Sequence, residues 1–142
     1  MARILSIDYG RRRTGLAVTD PQQIIAGGLA TVSTSTLMAY IDSYVREESV
    51  ERIIVGEPWQ TNGEPSENMP RVRSFVSRLR KAHPGIPVEM VDERYTSVLA
   101  HRAMLDGGLR KKARQDKALV DEISATIMLQ SYMEGRKNAD NR

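Results

Sequence analysis

The stretch ILSIDYGRRRTGLAVTD, residues 4–20, joins two apolar runs through a basic turn. The first run ends in Asp8 and the second leads to Asp20. The two runs predict an antiparallel hairpin, because Gly10 permits a tight reversal of the chain between them. A carboxylate that is fixed by a core strand, beside three consecutive arginines, supplies the groups of a metal-and-phosphate site. We therefore interpret Asp8 as the first candidate functional residue.

The same pattern also has a purely structural explanation. An aspartate close to a glycine is a common turn residue, because its side chain bonds backbone amides and tolerates unusual dihedral angles. For Asp8 taken alone, this explanation is the stronger one. Function is favoured by the acidic residues that recur at similar places later in the chain, namely Glu57, Asp92, Glu93 and Asp121.

The composition is that of one soluble globular domain. The chain has 142 residues, 40% of them hydrophobic and 27% charged, which is enough for a core without metal or disulfide staples. It has no cysteine, which excludes disulfides and thiolate metal sites and favours a reducing cytoplasm. No apolar run approaches the roughly 18 residues of a membrane span, so we expect no membrane association.

Positive charge is concentrated in two blocks. The formal net charge is +3, and the blocks are Arg11–Arg13 and Arg110–Arg114. Each block alone is equally typical of a solvated loop. Two basic loops near separate acidic positions favour a nucleic acid as partner, because such loops bind phosphates without reading sequence.

Hydrophobic periodicity predicts an α/β domain. Strands are predicted over residues 4–8, 15–19, 24–32, 52–56 and 87–92, and helices are predicted to begin near Thr34, Val72, Thr96 and Lys117. This order indicates a mixed sheet with helices on its faces. The last helix is predicted to end near Glu134. We expect a single domain over residues 1–135 and a disordered tail over residues 136–142.

The later acidic residues follow strands or lie early in the last helix. Asp92-Glu93-Arg94 closes a strand as Asp8 does, and neighbouring strand ends place such residues in one crevice. Asp121 is followed by the small residues Ser124 and Ala125, which would let the helix approach the sheet closely. Grouped carboxylates repel one another unless a cation is bound. Oxygen donors without His or Cys suit Mg²⁺ or Mn²⁺ rather than Zn²⁺.

These carboxylates could also be surface ion-pair partners. Glu93 could pair with Arg94, and Asp121 with Lys117, in contacts worth about 0–1 kcal/mol each. Spacing along the chain does not decide between the two interpretations.

Residues 57–70 resist a regular assignment, and loops of this length in a compact domain are often functional. Glu57 follows a predicted strand, although the adjacent Pro58 is equally typical of a plain loop. Trp59 could stack on an unpaired base. Packing against the edge of the sheet is the favoured explanation, because tryptophan usually buries most of its surface.

The chain resembles the YqgF family of bacterial proteins in four motifs that occur in the family's order and together span nearly the whole chain. The motifs are Ile7-Asp8-Tyr9-Gly10 with Arg12-Arg13 and residues 15–20; Val55-Gly56-Glu57-Pro58 with Asn62-Gly63; Asp92-Glu93-Arg94 with Thr96; and Lys117 with Val120-Asp121, Ala125, Ile127 and Leu129-Gln130. The family is related to Holliday-junction resolvases and commonly described as pre-16S ribosomal RNA nucleases. The resemblance implies an RNase H-like fold, with a mixed five-stranded sheet whose first three strands are antiparallel.

The resemblance also implies roles for individual residues. The catalytic and metal-binding acids would be Asp8, Glu93 and Asp121, holding two Mg²⁺ or Mn²⁺ ions. Phosphate would be bound by Arg12, Arg13, Arg94 and Lys117. Three residues depart from the family pattern: Arg12 replaces a frequent lysine, Tyr95 a frequent leucine, and Glu57 a frequently apolar residue. Glu57 is therefore a candidate for an extra or alternative metal ligand, and the choice between Glu57 and Glu93 as the second acid stays open.

The implied function is metal-dependent phosphodiester hydrolysis, in processing of the 5′ end of pre-16S ribosomal RNA in the cytoplasm. RNA is favoured over DNA as partner, and a monomer or weak homodimer is expected. A DNA junction resolvase or a non-catalytic nucleic-acid-binding factor on the same fold are the alternatives. An ATP-binding domain of the actin and sugar-kinase type is less compatible with one domain, because those proteins enclose the nucleotide between two.

Overall fold

The first apolar run forms the central strand of a mixed sheet. A computed structural model describes residues 2–60, 62–92 and 117–140. The strands are β1 (Arg3–Asp8), β2 (Arg13–Thr19), β3 (Ala26–Ser33), β4 (Val50–Glu57) and β5 (Val88–Asp92); the helices are α1 (Leu37–Glu47), α2 (Met69–Ala82) and α3 (Lys117–Asp140). A 3-10 turn, Thr34–Thr36, precedes α1. In this part of the chain the sheet has five strands in the order β3-β2-β1-β4-β5.

The pairing of the strands confirms the predicted topology. Strands β1, β2 and β3 pair antiparallel, whereas β4 is parallel to both β1 and β5. The predicted α/β class with a mixed five-stranded sheet flanked by helices is therefore confirmed. Strand β2 begins earlier than predicted because Arg13 and Thr14 already pair with Ser33 and Val32. The helix predicted after Thr96 lies outside the described residues.

Helices cover both faces of the sheet. Leu5 and Ile7 belong to a core cluster shared with α1 and α2, whereas Ile4 belongs to a second cluster shared with α3. Burial on both faces explains why the central strands read as continuous apolar runs. Because side chains alternate along a strand, Ser6 and Asp8 lie on the same face as Ile4. Asp8 thus lies on the α3 face.

Helix α3 packs directly on the hairpin of β1 and β2. A Cβ atom on Gly15 would lie 2.2 Å from the backbone carbonyl oxygen of Asp121. One turn along the helix, the Ser6 hydroxyl donates a hydrogen bond of 2.9 Å to the carbonyl oxygen of Ala125, which is fully buried. Ala125 supports the predicted close approach of the last helix. Gly15 supplies the clearance, because no side chain fits between the two backbones.

Helix α3 is longer than the sequence indicates. It ends at Asp140, so the predicted end near Glu134 is wrong, and residues 136–140 of the expected disordered tail are helical. The glycine at position 135 costs a helix only about 1 kcal/mol relative to alanine, and no proline follows it. Although α3 has 24 residues, neither it nor any other described helix is long and apolar enough to cross a membrane.

Asp20 organises the turn between β2 and β3. Its carboxylate accepts hydrogen bonds from the backbone amides of Ile24 at 2.7 Å, Ile25 at 2.8 Å and Gln22 at 3.2 Å. These hydrogen bonds, chiefly that from Ile25, lower the pKa of Asp20. The same turn holds Gln23 in the left-handed region, with φ of 58°. Asp20 is therefore a turn residue, and its role is structural.

We predict that Asp20→Asn destabilises the protein at neutral pH and that the difference disappears in acid. The folded-state pKa of Asp20 is lowered below its ordinary value of 3.8. The charged side chain therefore contributes stability that is present above the unfolded-state pKa and is lost as the pH falls through the folded-state pKa. Urea unfolding from pH 7 down to pH 2 measures this difference. A free-energy difference that stays constant across the range would contradict the prediction.

We predict that Gly15→Ala lowers the free energy of unfolding by about 1–3 kcal/mol, because the added methyl group overlaps the backbone of α3. Gly27→Ala in β3 is the matched control, since a Cβ atom there meets nothing within 4 Å. Urea unfolding of the two variants gives the comparison. Equal stability would mean that α3 does not need the clearance at Gly15.

Candidate active site

Asp8 lies at the carboxyl end of the central strand. It is half-buried and follows Ile7, which is fully buried. Ile7 pairs with Val55 of β4, and Asp8 pairs with Gly15 of β2. A strand hydrogen-bonded on both sides holds its backbone firmly, so the direction of the Asp8 side chain is fixed by the sheet.

Asp121 reaches the same end of the sheet from the last helix. It is half-buried, and its backbone lies directly over Gly15, the residue that pairs with Asp8. Asp8 and Asp121 therefore lie on the same face of the sheet and at the same end of its strands, where β1 stops. The glycine on β2 brings them together, because it lets the α3 backbone contact the strand next to Asp8.

A cation adjoins this acidic pair. Arg13 Nε lies 3.5 Å from Asp121 Oδ2, and the Arg13 side chain remains 44% exposed. An ion pair this exposed contributes about 0–1 kcal/mol to stability, so its guanidinium is available to an anion at little cost. Arg11 and Arg12 are exposed in the turn that precedes it. The predicted phosphate-binding residues Arg12 and Arg13 thus lie at the edge that carries the two aspartates.

Two threonines hold this basic turn in place. The Thr34 hydroxyl donates to the carbonyl oxygen of Gly10 at 2.7 Å and lies 2.9 Å from the Thr14 hydroxyl. The Thr34 backbone amide donates to the carbonyl oxygen of Arg12 at 2.9 Å. From the sequence, Thr34 is predicted only as the start of a helix. The role of its hydroxyl has no sequence signal, because its contacts join residues that are distant in the chain.

Glu57 and Asp92 lie on the opposite face from Asp8. They pair with each other at the ends of β4 and β5. In the same register Val55 pairs with Met90, and both pack in the cluster of α1 and α2. Because side chains alternate along a strand, Glu57 and Asp92 share that face. The sheet therefore separates these two acids from the aspartates on the α3 side.

Glu57 also has a partner of its own. Its Oε1 accepts a hydrogen bond from the indole Nε1 of Trp59. Trp59 is half-buried, forms an isolated β-bridge with Pro65, and belongs to neither core cluster of the described residues. The loop after β4 is thus tied to the strand end by the Glu57–Trp59 contact.

Of the remaining predicted site residues, Glu93 and Arg94 lie outside the described residues, and Lys117 is the first residue of α3. Within the described residues no three His, Cys, Asp or Glu side chains are grouped so that they could hold a metal ion. Asp8 and Asp121 supply two carboxylates at one edge. Such oxygen donors fit a hard divalent cation, and a basic side chain beside them fits a phosphate.

Solved structures with a similar fold come from Holliday-junction resolvases. T. thermophilus RuvC in complex with a Holliday junction substrate has a TM-score of 0.57 and 18% identity, covering 94% of this chain and 96% of that chain. The fowlpox virus resolvase in complex with Holliday junction DNA has a TM-score of 0.55 and 13% identity, covering 94% and 97%. At this identity the likeness shows the fold, and it confirms the predicted RNase H-like class.

Relatives with high sequence identity carry the name "Putative pre-16S rRNA nuclease". The protein of Phocaeicola vulgatus is 66% identical over 137 residues, which cover 96% of this chain and 99% of that protein. The protein of Bacteroides fragilis is 63% identical over 137 residues with the same coverage. The protein of Flavobacterium psychrophilum is 53% identical over 133 residues, covering 94% and 97%.

The whole-chain resemblance identified from the four motifs is confirmed by a family match. Residues 2–135 match the family described as "RuvX: Holliday junction resolvase". The match includes every candidate site residue, from Asp8 to Asp121. This chain belongs to the RuvX family, which is also called YqgF.

Proposed function

We propose that this protein is a metal-dependent nuclease that hydrolyses phosphodiester bonds in precursor 16S ribosomal RNA. The observation that carries the proposal is the packing of α3 on Gly15, which brings Asp121 to the edge where Asp8 ends the central strand. Two carboxylates fixed by different elements, with the Arg13 guanidinium beside them, provide for both a cation and a phosphate. The names of the relatives that share 53–66% of the sequence support the RNA substrate.

The metal ions would be held by Asp8, Asp121 and Glu93. Two Mg²⁺ or Mn²⁺ ions held there would supply an activated water and would stabilise the leaving oxygen. The protein fixes the carboxylates in advance: β1 holds Asp8, and the contact of α3 with Gly15 holds Asp121. Preorganisation of this kind lowers the barrier, because no side chain has to be reoriented when charge develops.

The alternation along β5 argues against Asp92 as the third acid. Glu89 and Val91 face α3: the Tyr132 hydroxyl donates to Glu89 at 2.7 Å, and Val91 packs in the α3 cluster. Asp92 follows Val91 directly, so its side chain lies on the opposite face of the sheet. We therefore keep Glu93 as the proposed third acid, as the resemblance to the family implies.

Glu57 receives no metal-binding role in this proposal. It lies on the other face of the sheet, and its carboxylate accepts the Trp59 indole N–H. We propose instead that Glu57 fixes the loop that follows β4. The departure from the family's apolar residue at this position is then explained by Trp59, which a glutamate can bind and an apolar side chain cannot.

Phosphate binding is proposed for Arg12, Arg13, Arg94 and Lys117. Arg12 and Arg13 lie in and just after the turn that follows Asp8, and Thr34 holds that turn through its contacts with Gly10 and Arg12. Lys117 is one helical turn before Asp121, which is the spacing of neighbours on one helix face. A precursor ribosomal RNA as substrate implies a cytoplasmic protein.

We predict that Asp8→Asn and Asp121→Asn each lower Mg²⁺-dependent cleavage of labelled pre-16S RNA by more than about 100-fold, since each removes several kcal/mol of transition-state stabilisation. Glu47→Gln is the matched control, because Glu47 is exposed on α1. Wild-type cleavage by Asp8→Asn in a contaminant-free preparation would refute the assignment. RNA binding without cleavage, equal in all variants, would instead favour a non-catalytic binding factor.

We predict that Glu93→Gln also lowers Mg²⁺-dependent cleavage by more than about 100-fold, as Asp8→Asn and Asp121→Asn do. Asp92→Asn and Glu57→Gln are expected to stay within about tenfold of the wild-type rate, the lower limit of the loss for a residue that supports a metal ligand, because both lie on the face of the sheet opposite Asp8. Single-turnover cleavage with saturating Mg²⁺ compares the three. If Asp92→Asn were the damaging change, the face assignment of β5 would be incorrect.

A further inference from the structure

Helix α2 carries positive charge and has no acidic residue of its own. Its 14 residues include no Asp or Glu and five cations, which are Arg71, Arg73, Arg78, Arg80 and Lys81. All five are exposed, and no ion pair in the described parts of the chain uses any of them. Cations in the last turn are favoured by the helix dipole, but Arg71 in the first turn is opposed by it. Folding stability alone therefore does not explain this distribution of charge.

Part of this charge lines a groove between α2 and the edge strand β5. The groove has a volume of about 440 Å³ and is lined by Arg73, Val76, Ser77, Arg80, Lys81 and Met90. Arg80 is fixed in it, because its Nη2 donates a hydrogen bond of 2.8 Å to the carbonyl oxygen of Val88. Since β5 is the last strand in the order of the described sheet, no further strand closes this side of the groove.

The groove leads away from the candidate active site. Helix α2 returns the chain from the end of β4 to the start of β5, and β4 and β5 are parallel, so α2 begins at the end of the sheet that carries the site, on the face opposite Asp8. The Asn68 Nδ2 atom, at the start of α2, donates to the carbonyl oxygen of Tyr9 at 2.9 Å, and Tyr9 follows Asp8. From Arg73 to Lys81 the helix extends about 12 Å at about 1.5 Å per residue.

We propose that this groove, the α2 groove, binds the phosphate backbone of the RNA strand that continues from the active site. The inference rests on the proposed nuclease function. Three cations on one helix face match a polyanion, and Ser77 adds a hydroxyl between them. The groove follows about 12 Å of the helix axis, which is long enough to contact more than one phosphate of a strand. Contacts to phosphates hold a strand in place without reading its sequence.

Two other occupants fit the surface poorly. A membrane would need an apolar face to insert, but the apolar residues of α2 are buried in the core, among them Phe75 and Leu79 at 1% and 0% exposure. A second copy of this chain, placed by a two-fold axis, would bring the same cations against one another. A phosphate backbone is the occupant whose charge complements the groove.

The test is the salt dependence of RNA binding by the full-length double variant Arg73→Gln/Lys81→Gln. Arg80 is left intact because of its hydrogen bond to β5. The matched control is Arg46→Gln/Arg136→Gln, which removes two exposed arginines elsewhere and gives the same net charge, +1 instead of +3. The ligand is a labelled single-stranded RNA long enough to run from the site along α2, and binding is measured without divalent cations, so that no cleavage occurs.

We predict that the groove variant binds about tenfold more weakly than the control near 0.15 M salt, with a salt slope reduced by about 1.4, since each contact to a single strand contributes about 0.7. Cleavage of a short oligonucleotide that reaches only the active site is expected to be unchanged. Equal affinity of the two variants, or preserved slope, overturns the inference while leaving the nuclease proposal intact. A groove-dependent loss in a protein that never cleaves supports the groove and refutes the nuclease. A loss seen with duplex DNA but not with RNA overturns the choice of RNA.

Discussion

The contact between the α3 backbone and Gly15 is the constraint on which the rest of the site depends. A carbonyl group of the last helix lies where any residue other than glycine at position 15 would place its Cβ atom. This approach buries Ile4 of the sheet and Ala125 of the helix in one hydrophobic cluster. It also brings Asp121 next to the residue that pairs with Asp8. The same contact therefore determines both the packing of α3 and the position of the candidate site, because Gly15 determines how closely the α3 backbone can approach the sheet.

The alternation of side chains along the strands places the acidic residues on two different faces of the sheet. Asp8 shares its face with Ser6, which is hydrogen-bonded to α3, whereas Glu57 and Asp92 end their strands on the side of α1 and α2. Asp8, Glu57 and Asp92 all lie at the carboxyl ends of parallel strands, so their positions in the sequence alone would place them in one site. The alternation separates them, since a shift of one residue moves a side chain to the opposite face. The basic α2 groove lies beside the edge strand β5, on the same face of the sheet as Glu57 and Asp92.

Much of the fold was predictable because its signals are local. Apolar runs bounded by turns gave all five strands of the described sheet to within two residues at each end, and helical spacing gave α1 and α2. Asp8 was found because it ends such a run. The end of α3 was predicted too early, because Gly135 resembles a stop signal and yet costs little inside a long helix. The α2 groove had no sequence signal beyond scattered basic residues, because it also requires β5.

The sequence by itself determined the class of fold, the family, and the residue types available for chemistry, since these depend on periodicity, motif order and composition. Only the tertiary structure decided which residues meet. Gly15 and Asp121 are distant along the chain, and no pattern within either segment states that one backbone contacts the other. The separation of Glu57 from Asp8 likewise follows from register between strands. Contacts of this kind arise from the packing of whole elements, which local sequence does not encode.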